Sequence, residues 1–480
     1  MANRILFYDN QNESRYLDSF ENIFIITNKG NFDWTFEGNK IDNSPEIPQQ
    51  FMEEFPDIIA KLKYLGPIFS RHYDDLPLME LHYRKIAFMV MQLATCLKPK
   101  QIDILLFPFS ANHWIEGFIL EIVGELLNLK MIFLYPTYMN FQILPLVQTN
   151  GIESRKIISL NFSNNCISND ILIRIQEGVR KQSHIEVGNS IFMWEIKTKF
   201  LYVLYFSKIY LEKQIKNITG YKLKQSREIK KSSLATELNI LKEQIIATKY
   251  FLKIVQTDST NLITQIAKNE SMDPPIVIFA HYQPEASSFP EAGVYANTID
   301  MVMKLRSSGY SGDIFYKEHP YILGCLYSVK KYPTRIGTAR SIEYYDQLRV
   351  LGCRFINEIP FDDKDYFALT GTGTIALERS LRGFKSIVAG HPWYQGLPGT
   401  ISLDNFLYKV IEKKLFFNQE NIALVAFNYL KNRLDNKLLV NVIDKDMFNI
   451  KFEDKEIGIF REDFNNLLRL LKEIKNLNSL

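Results

Sequence analysis

Four short segments of the chain gather histidine, threonine or glutamate beside glycine or proline. They are HYQPE (281–285), KEHP (317–320), TGTGT (370–374) and GHPWYQG (390–396). Each follows a short apolar run of the buried-strand kind: IVIFA, DIFY, YFAL and SIVA. Imidazoles, hydroxyls and backbone N–H groups exposed at glycine turns are groups that hold anionic oxygen and move protons.

In TGTGT, Gly371 and Gly373 open backbone conformations that other residues resist, and Thr374 stands where a helix begins. The hydroxyls of Thr372 and Thr374, with the N–H groups around Gly373, make a candidate phosphate cradle. No GK[ST] follows, and the spacing is not GxGxxG, so ATP hydrolysis and NAD binding are both disfavoured. A glycine turn with threonine as helix cap and no ligand is the plainer reading of the same residues. Glu378, four residues after Thr374 on one helix face, either bonds ribose hydroxyls or complements the helix dipole.

In KEHP, Pro320 keeps His319 out of the α region, so the imidazole projects from a stiff, extended loop. There it can donate to a phosphate oxygen and offset the charge of a departing group, with Lys317 adding attraction. His281, Gln283 and Glu285 can bond sugar hydroxyls, and Trp393 and Tyr394 offer stacking faces. A structural role for the same histidines and aromatics is the competing reading.

These loops need strands that deliver them to one edge. From residue 276 the pattern alternates strand and helix, with helices expected over 292–305 and in TIALERSLRG. If the strands are parallel, all four loops leave from the same side, where open α/β sheets bind ligands. An earlier unit shows the same rhythm. IDILLFP and MIFLY flank a helix marked by Ile115, Phe118, Ile119, Ile122 and Leu126, which is a βαβ crossover. ILFYD and 78–97 add a strand and a helix.

Between the two units, residues 170–270 read as helical, with a strongly basic stretch at 221–233. That stretch is either a solvated hairpin tip or a patch for anionic lipid or polymer. The expected organisation is α/β throughout, with two Rossmann-like domains facing a cleft. An N-terminal Rossmann-like domain spans 1–165, a helical insertion 166–270, a second Rossmann-like domain 271–460 and a closing amphipathic helix 461–480.

Length agrees with this division, since 480 residues is about three single-domain lengths. Lys+Arg 57 against Asp+Glu 54 leaves +3, too near balance for a dedicated nucleic-acid binder. Cys96, Cys166, Cys325 and Cys353 lie far apart, which argues against a zinc site or a disulfide framework and for a reducing cytoplasm. No HExxH or Cys/His ligand spacing occurs; Asp362-Asp363 is the nearest approach and reads as a surface pair. The expected site holds no metal and needs no cofactor, with cationic and hydroxyl groups taking the place of a divalent ion.

The order HYQPE, KEHP, TGTGTIALERSLRG and GHPWYQGLPG, over the last two fifths of the chain, resembles bacterial capsule polysaccharide biosynthesis proteins, including Kdo transferases. The Lys-x-His-Pro tetrapeptide followed by a threonine-glycine turn is also similar to the donor motifs of bacterial sialyltransferases and polysialyltransferases. The capsule families end the last loop in Phe-Tyr-Ala-Gly, where this chain has Trp-Tyr-Gln-Gly. The resemblance implies a GT-B glycosyltransferase that takes a sugar, of the sialic acid, Kdo or pseudaminic acid type, from a CMP-sugar. The histidine and hydroxyls would grip the CMP phosphate. The acceptor would be a glycan or glycolipid, and the location cytoplasmic or peripheral at the inner membrane.

Those sialyltransferases carry a paired-acid-glycine motif whose acid is the base. The nearest match is Ile115-Glu116-Gly117, in which Ile115 replaces the first acid. Glu116 is therefore one candidate base, with His113, Asp9 and Asp103 as rivals and Asp103 the weakest, since it begins a strand. Other readings are a UDP- or GDP-sugar transferase or epimerase of the same fold, or a polysaccharide-binding assembly protein without turnover.

Overall fold

The computed structural model describes residues 5–9, 23–27, 34–35, 79–100, 102, 104–107, 115–136, 142–148, 156–157, 173, 246–258, 273–281, 291–319, 340–359, 362–412, 421–435 and 439–440. The chain divides into two compact units, Met1–Ile175 with Phe427–Leu480, and Gln176–Ala426. Both are mixed α/β.

In the first unit β1 (Ile5–Asp9), β2 (Ile23–Thr27), β3 (Trp34–Thr35), β4 (Ile104–Phe107) and β5 (Lys130–Pro136) are parallel, in the order 3-2-1-4-5. Then β6 (Gln142–Gln148) joins antiparallel to β5, and β7 (Lys156–Ile157) joins β6. Helices α1 (Met79–Leu97) and α2 (Ile115–Leu126) stand beside β4 in sequence, as their apolar spacing predicts. Ile119, Ile122 and Val123 of α2 are buried. Gly124 lies where a Cβ would come within 2.6 Å of the Met131 sulfur, so the helix rides close on β5.

The second unit opens with helical residues 246–258, here α3. There follow β8 (Ile276–Phe279), α4 (Thr298–Ser307), β9 (Ile314–Lys317), α5 (Ile342–Val350), β10 (Cys353–Ile356), β11 (Phe367–Thr370) and α6 (Ile375–Leu381). The series continues with β12 (Ser386–Val388), β13 (Thr400–Ser402), α7 (Leu403–Ile411) and α8 (Ile422–Leu434). The strands form one parallel sheet of six, ordered β10-β9-β8-β11-β12-β13.

Numbered within this unit that order is 3-2-1-4-5-6, an arrangement compatible with a Rossmann-like fold, and it reverses between β8 and β11. The first unit resumes at Phe427, within α8, and its β14 (Leu439–Val440) pairs with β6.

The apolar runs form strands here because both faces of the sheet are covered. Ile276, Ile278, Ile314, Tyr316, Phe355 and Leu369 point to a core shared with α3, α4, α5 and α7. Val277, Phe315, Ile356 and Ala368 point the other way. The expected helix over 292–305 begins later than its apolar pattern. A 3-10 turn fills Gly293–Ala296, and the Asn297 side chain accepts the Ile299 N–H at 3.2 Å, capping α4. The amphipathic segment 461–480, the basic stretch 221–233 and most of 166–270 lie outside the described residues. Among those described, no helix is long and apolar enough to cross a membrane.

Candidate functional site

Because the six strands are parallel, the residues after Phe279, Lys317, Ile356, Thr370 and Val388 all leave the sheet from one edge. Three of them meet where the strand order reverses. His281, two residues past β8, is buried, and its Nε2 accepts the Thr372 N–H at 3.0 Å; the Thr370 hydroxyl stands 3.3 Å from the same nitrogen. The Thr370 oxygen also accepts the Gly373 N–H at 3.1 Å. The expected meeting of HYQPE and TGTGT thus takes place through His281. Gln283 and Glu285 lie outside the described residues.

These bonds change how the threonine-glycine turn works. The N–H groups of Thr372 and Gly373, which the sequence offered as part of a phosphate cradle, already serve His281 and Thr370. The glycines are there for closeness rather than for unusual dihedrals. A Cβ at Gly371 would come within 2.8 Å of His281 Nε2, and one at Gly373 within 2.6 Å of Thr370 Oγ1. At Gly390 it would meet the Glu291 carbonyl at 2.6 Å and Ala292 Cα at 2.7 Å, where the His391 N–H bonds Glu291 at 2.8 Å.

Thr374 adopts α-helical backbone and makes no side-chain cap. Its hydroxyl bonds Glu378 instead, while burial raises the carboxyl of Glu378 above its usual range against the opposing effect of that bond. Trp393 and Tyr394 are buried, 8% and 2% exposed, with their rings edge to face at 5.6 Å. The Tyr394 hydroxyl donates to the Gly373 carbonyl at 2.5 Å, so this aromatic pair props the turn from behind.

At the neighbouring strand end the structure supplies two residues that the motifs did not single out. Glu318, inside KEHP, is buried and accepts from Arg340 at 2.7 and 3.1 Å, from Tyr316 at 2.8 Å, from Tyr345 at 3.0 Å and from the His319 N–H at 2.8 Å. Burial alone would raise its carboxyl; the Arg340 charge and these bonds outweigh that and hold it below the usual range. Arg340 immediately precedes Ser341, whose side chain caps α5 by accepting the Tyr344 N–H at 3.1 Å. The first turn of that helix then supplies Tyr345 and the Tyr344 ring, 4.7 Å from the guanidinium carbon.

The sequence signal was available in two places. Tyr316 in β9 and Glu318 just past its end stand two residues apart, and Arg340 stands against a serine cap followed by two tyrosines. Twenty-two residues separate the two charges, and no periodicity joins them.

Both imidazoles are neutral at pH 7. Burial pulls His281 down to about 4, with the charges of His319 and Arg340 acting the same way. Burial likewise pulls His319 to about 4; Glu318 opposes this and Arg340 reinforces it. Without a ligand His319 therefore carries no charge at pH 7. It acts first as a neutral hydrogen-bonding group, which an approaching anion would favour protonating. Lys317 points to the other sheet face, donates to the Asn357 carbonyl at 2.5 Å and has its ammonium pKa lowered by burial. It is held against β10, which takes it away from the partnership with His319 that the sequence suggested.

Asp363, expected as a surface acid, instead binds Arg379 and Arg382 on the opposite side of the sheet. Of the candidate bases, Glu116 lies in the first turn of α2 and Asp9 ends β1; His113, Asp103 and Pro320 fall outside the described residues.

The fold and site together define a mixed α/β protein in two units, the second a six-stranded parallel sheet with histidines and threonines gathered at its switch point. Neither protein-family models nor curated proteins gave a match to the chain.

Proposed function

We propose that the chain is a metal-independent glycosyltransferase of the GT-B kind, moving a 2-keto acid sugar from a CMP-sugar to a glycan or glycolipid acceptor in bacterial surface polysaccharide synthesis. The observation that carries this reading is the placement of His281, His319 and the Thr370–Thr374 turn around one point of strand reversal, where open α/β sheets hold nucleotides. The motif order supports the choice of donor.

In this reading His319 donates to a phosphate oxygen and becomes cationic as negative charge builds on the departing CMP. The Thr372 and Thr374 hydroxyls orient the phosphate. Glu378, partly buried beside Thr374, takes the ribose hydroxyls. His281 keeps the turn in place, and Trp393 and Tyr394 support it rather than stack on sugar. Glu116 or His113 removes the acceptor proton. The setting is the cytoplasm or the inner face of the inner membrane.

A thermal-shift series with CMP, UDP, GDP and ADP, first without metal and then with magnesium, tests the reading. A ligand at a hundred times its dissociation constant stabilises by about 2.7 kcal/mol. A selective shift with CMP that needs no metal is the expected result. A shift with UDP or GDP alone would replace the donor, and no shift with any nucleotide would favour a polysaccharide-binding protein without turnover.

A further inference from the structure

Arg340 makes one connection that its ion pair with Glu318 does not require. Its Nη2 donates both to Glu318 Oε1 at 3.1 Å and to the His281 carbonyl at 3.0 Å, while Nε donates to Glu318 Oε2 at 2.7 Å. Glu318 Oε1 in turn accepts the His319 N–H at 2.8 Å. One guanidinium and one carboxylate therefore bond the backbone at both histidines, across the ends of β8 and β9. Tyr316 and Tyr345 fill Glu318 Oε2, and the Tyr344 ring lies against the guanidinium, so neither charged group is left to pivot.

Stability is a poor explanation for this arrangement, because a buried ion pair replaced by well-packed apolar residues is often no less stable. Apolar side chains cannot donate to one histidine's carbonyl and accept from the other's N–H. We propose that Arg340 and Glu318 are positioning residues, a clamp that fixes the separation and orientation of the His281 and His319 imidazoles for the anion they receive. The proposal rests on the nucleotide reading only for the identity of that anion; the clamp itself is a matter of geometry.

Two substitutions change the geometry and keep both charges. Glu318→Asp withdraws the carboxylate by one methylene, and Arg340→Lys replaces a forked donor by a single point. The full chain with isotope-labelled histidine gives seven imidazole signals. Those of His281 and His319 are assigned by their loss in His281→Gln and His319→Gln. At pH 7, where both rings are neutral, the clamp requires that Glu318→Asp and Arg340→Lys move these two signals and leave the other five in place.

It also requires that CMP bind at least about tenfold more weakly to each variant, about 1.4 kcal/mol. Folded variants with wild-type signals for His281 and His319 overturn the proposal, and should one variant fail to fold, the other decides. If the wild-type protein ignores CMP, the nucleotide reading fails, and the imidazole spectra alone then decide whether the clamp exists.

Discussion

The two edges of the six-stranded sheet both bury arginine, and they use it differently. At the amino edge Arg306 donates to the carbonyls of Leu351, Tyr310 and Gly312 at 3.1, 3.0 and 2.9 Å respectively, tying the entries to β9 and β10. Arg379, 1% exposed, donates to the Asp363 carboxylate at 3.0 Å and to the carbonyls of Asp363 and Tyr366 at 2.7 and 3.1 Å, with its guanidinium carbon 4.1 Å from the Tyr366 ring centre. These bonds end on loop backbone and on an aspartate, closing the turns that feed the strands. At the carboxyl edge the Arg340 bonds end on two residues that carry imidazoles. An arginine that satisfies carbonyls of a turn holds the fold. One whose bonds terminate at residues with their own chemistry sets a site.

The largest effect expected from this contrast is at the amino edge. Arg379→Met deletes the hydrogen bonds to the carbonyls of Asp363, Tyr366 and Lys385 and leaves Asp363 with Arg382 as its charged partner. Each buried carbonyl left without its donor costs about 1–3 kcal/mol, so the midpoint of urea unfolding should fall steeply. Under conditions where the variant is folded, its response to CMP should match the wild type. A variant that keeps its stability and loses CMP binding would erase the distinction between the edges.

The converse change is His319→Ala. With the imidazole gone, turnover of a CMP-sugar should fall at least about a hundredfold, equivalent to about 2.7 kcal/mol of barrier. Stability at pH 7 should fall by less than this, about 1 kcal/mol, so that the variant stays folded. Wild-type turnover in this variant would remove His319 from the mechanism.

The strands of this edge were legible because central parallel strands are apolar on both faces. IVIF, IFYK, FALT and SIV needed only their continuous hydrophobicity to be read. In the first unit the helix at Ile115–Leu126 followed from its spacing alone. Strand β10 (CRFI) escaped because an arginine interrupts the run; its guanidinium pairs with Asp313 at 3.3 Å.

The histidines and threonines of the site were legible from where they stand relative to strands. What they bond was not. The turn's N–H groups look available in sequence, but Thr370 takes that of Gly373 within the turn, and the fold brings His281 from ninety-one positions away to take that of Thr372. Glu318 and Arg340 were hidden for the same reason, since an ion pair has no period. The buried Trp393 and Tyr394 show the opposite error. Aromatic residues next to a glycine loop suggest an exposed platform, whereas the loop folds back on them and uses the Tyr394 hydroxyl as a strut.

The smallest effect, and the one that sharpens the contrast most, is on pH. His281 and His319 have folded values of about 4, below the value of about 6.5 they take in the unfolded chain. The unfolded state therefore binds the extra protons as pH falls, and stability present above pH 6.5 is lost progressively toward pH 4. Between pH 7 and 6 only the unfolded imidazoles titrate. Each histidine then contributes about 0.7 kcal/mol of loss, and the pair about 1.4 kcal/mol.

Urea unfolding of the wild type at pH 7 and pH 6, beside His281→Gln/His319→Gln, isolates this contribution. Glutamine at 281 can still accept the Thr372 N–H and does not titrate, so the double variant should lose that part of the pH dependence. Equal losses in the two proteins would mean that the imidazoles are as free to protonate in the fold as out of it. The carboxyl edge would then be held no more tightly around its histidines than any exposed loop.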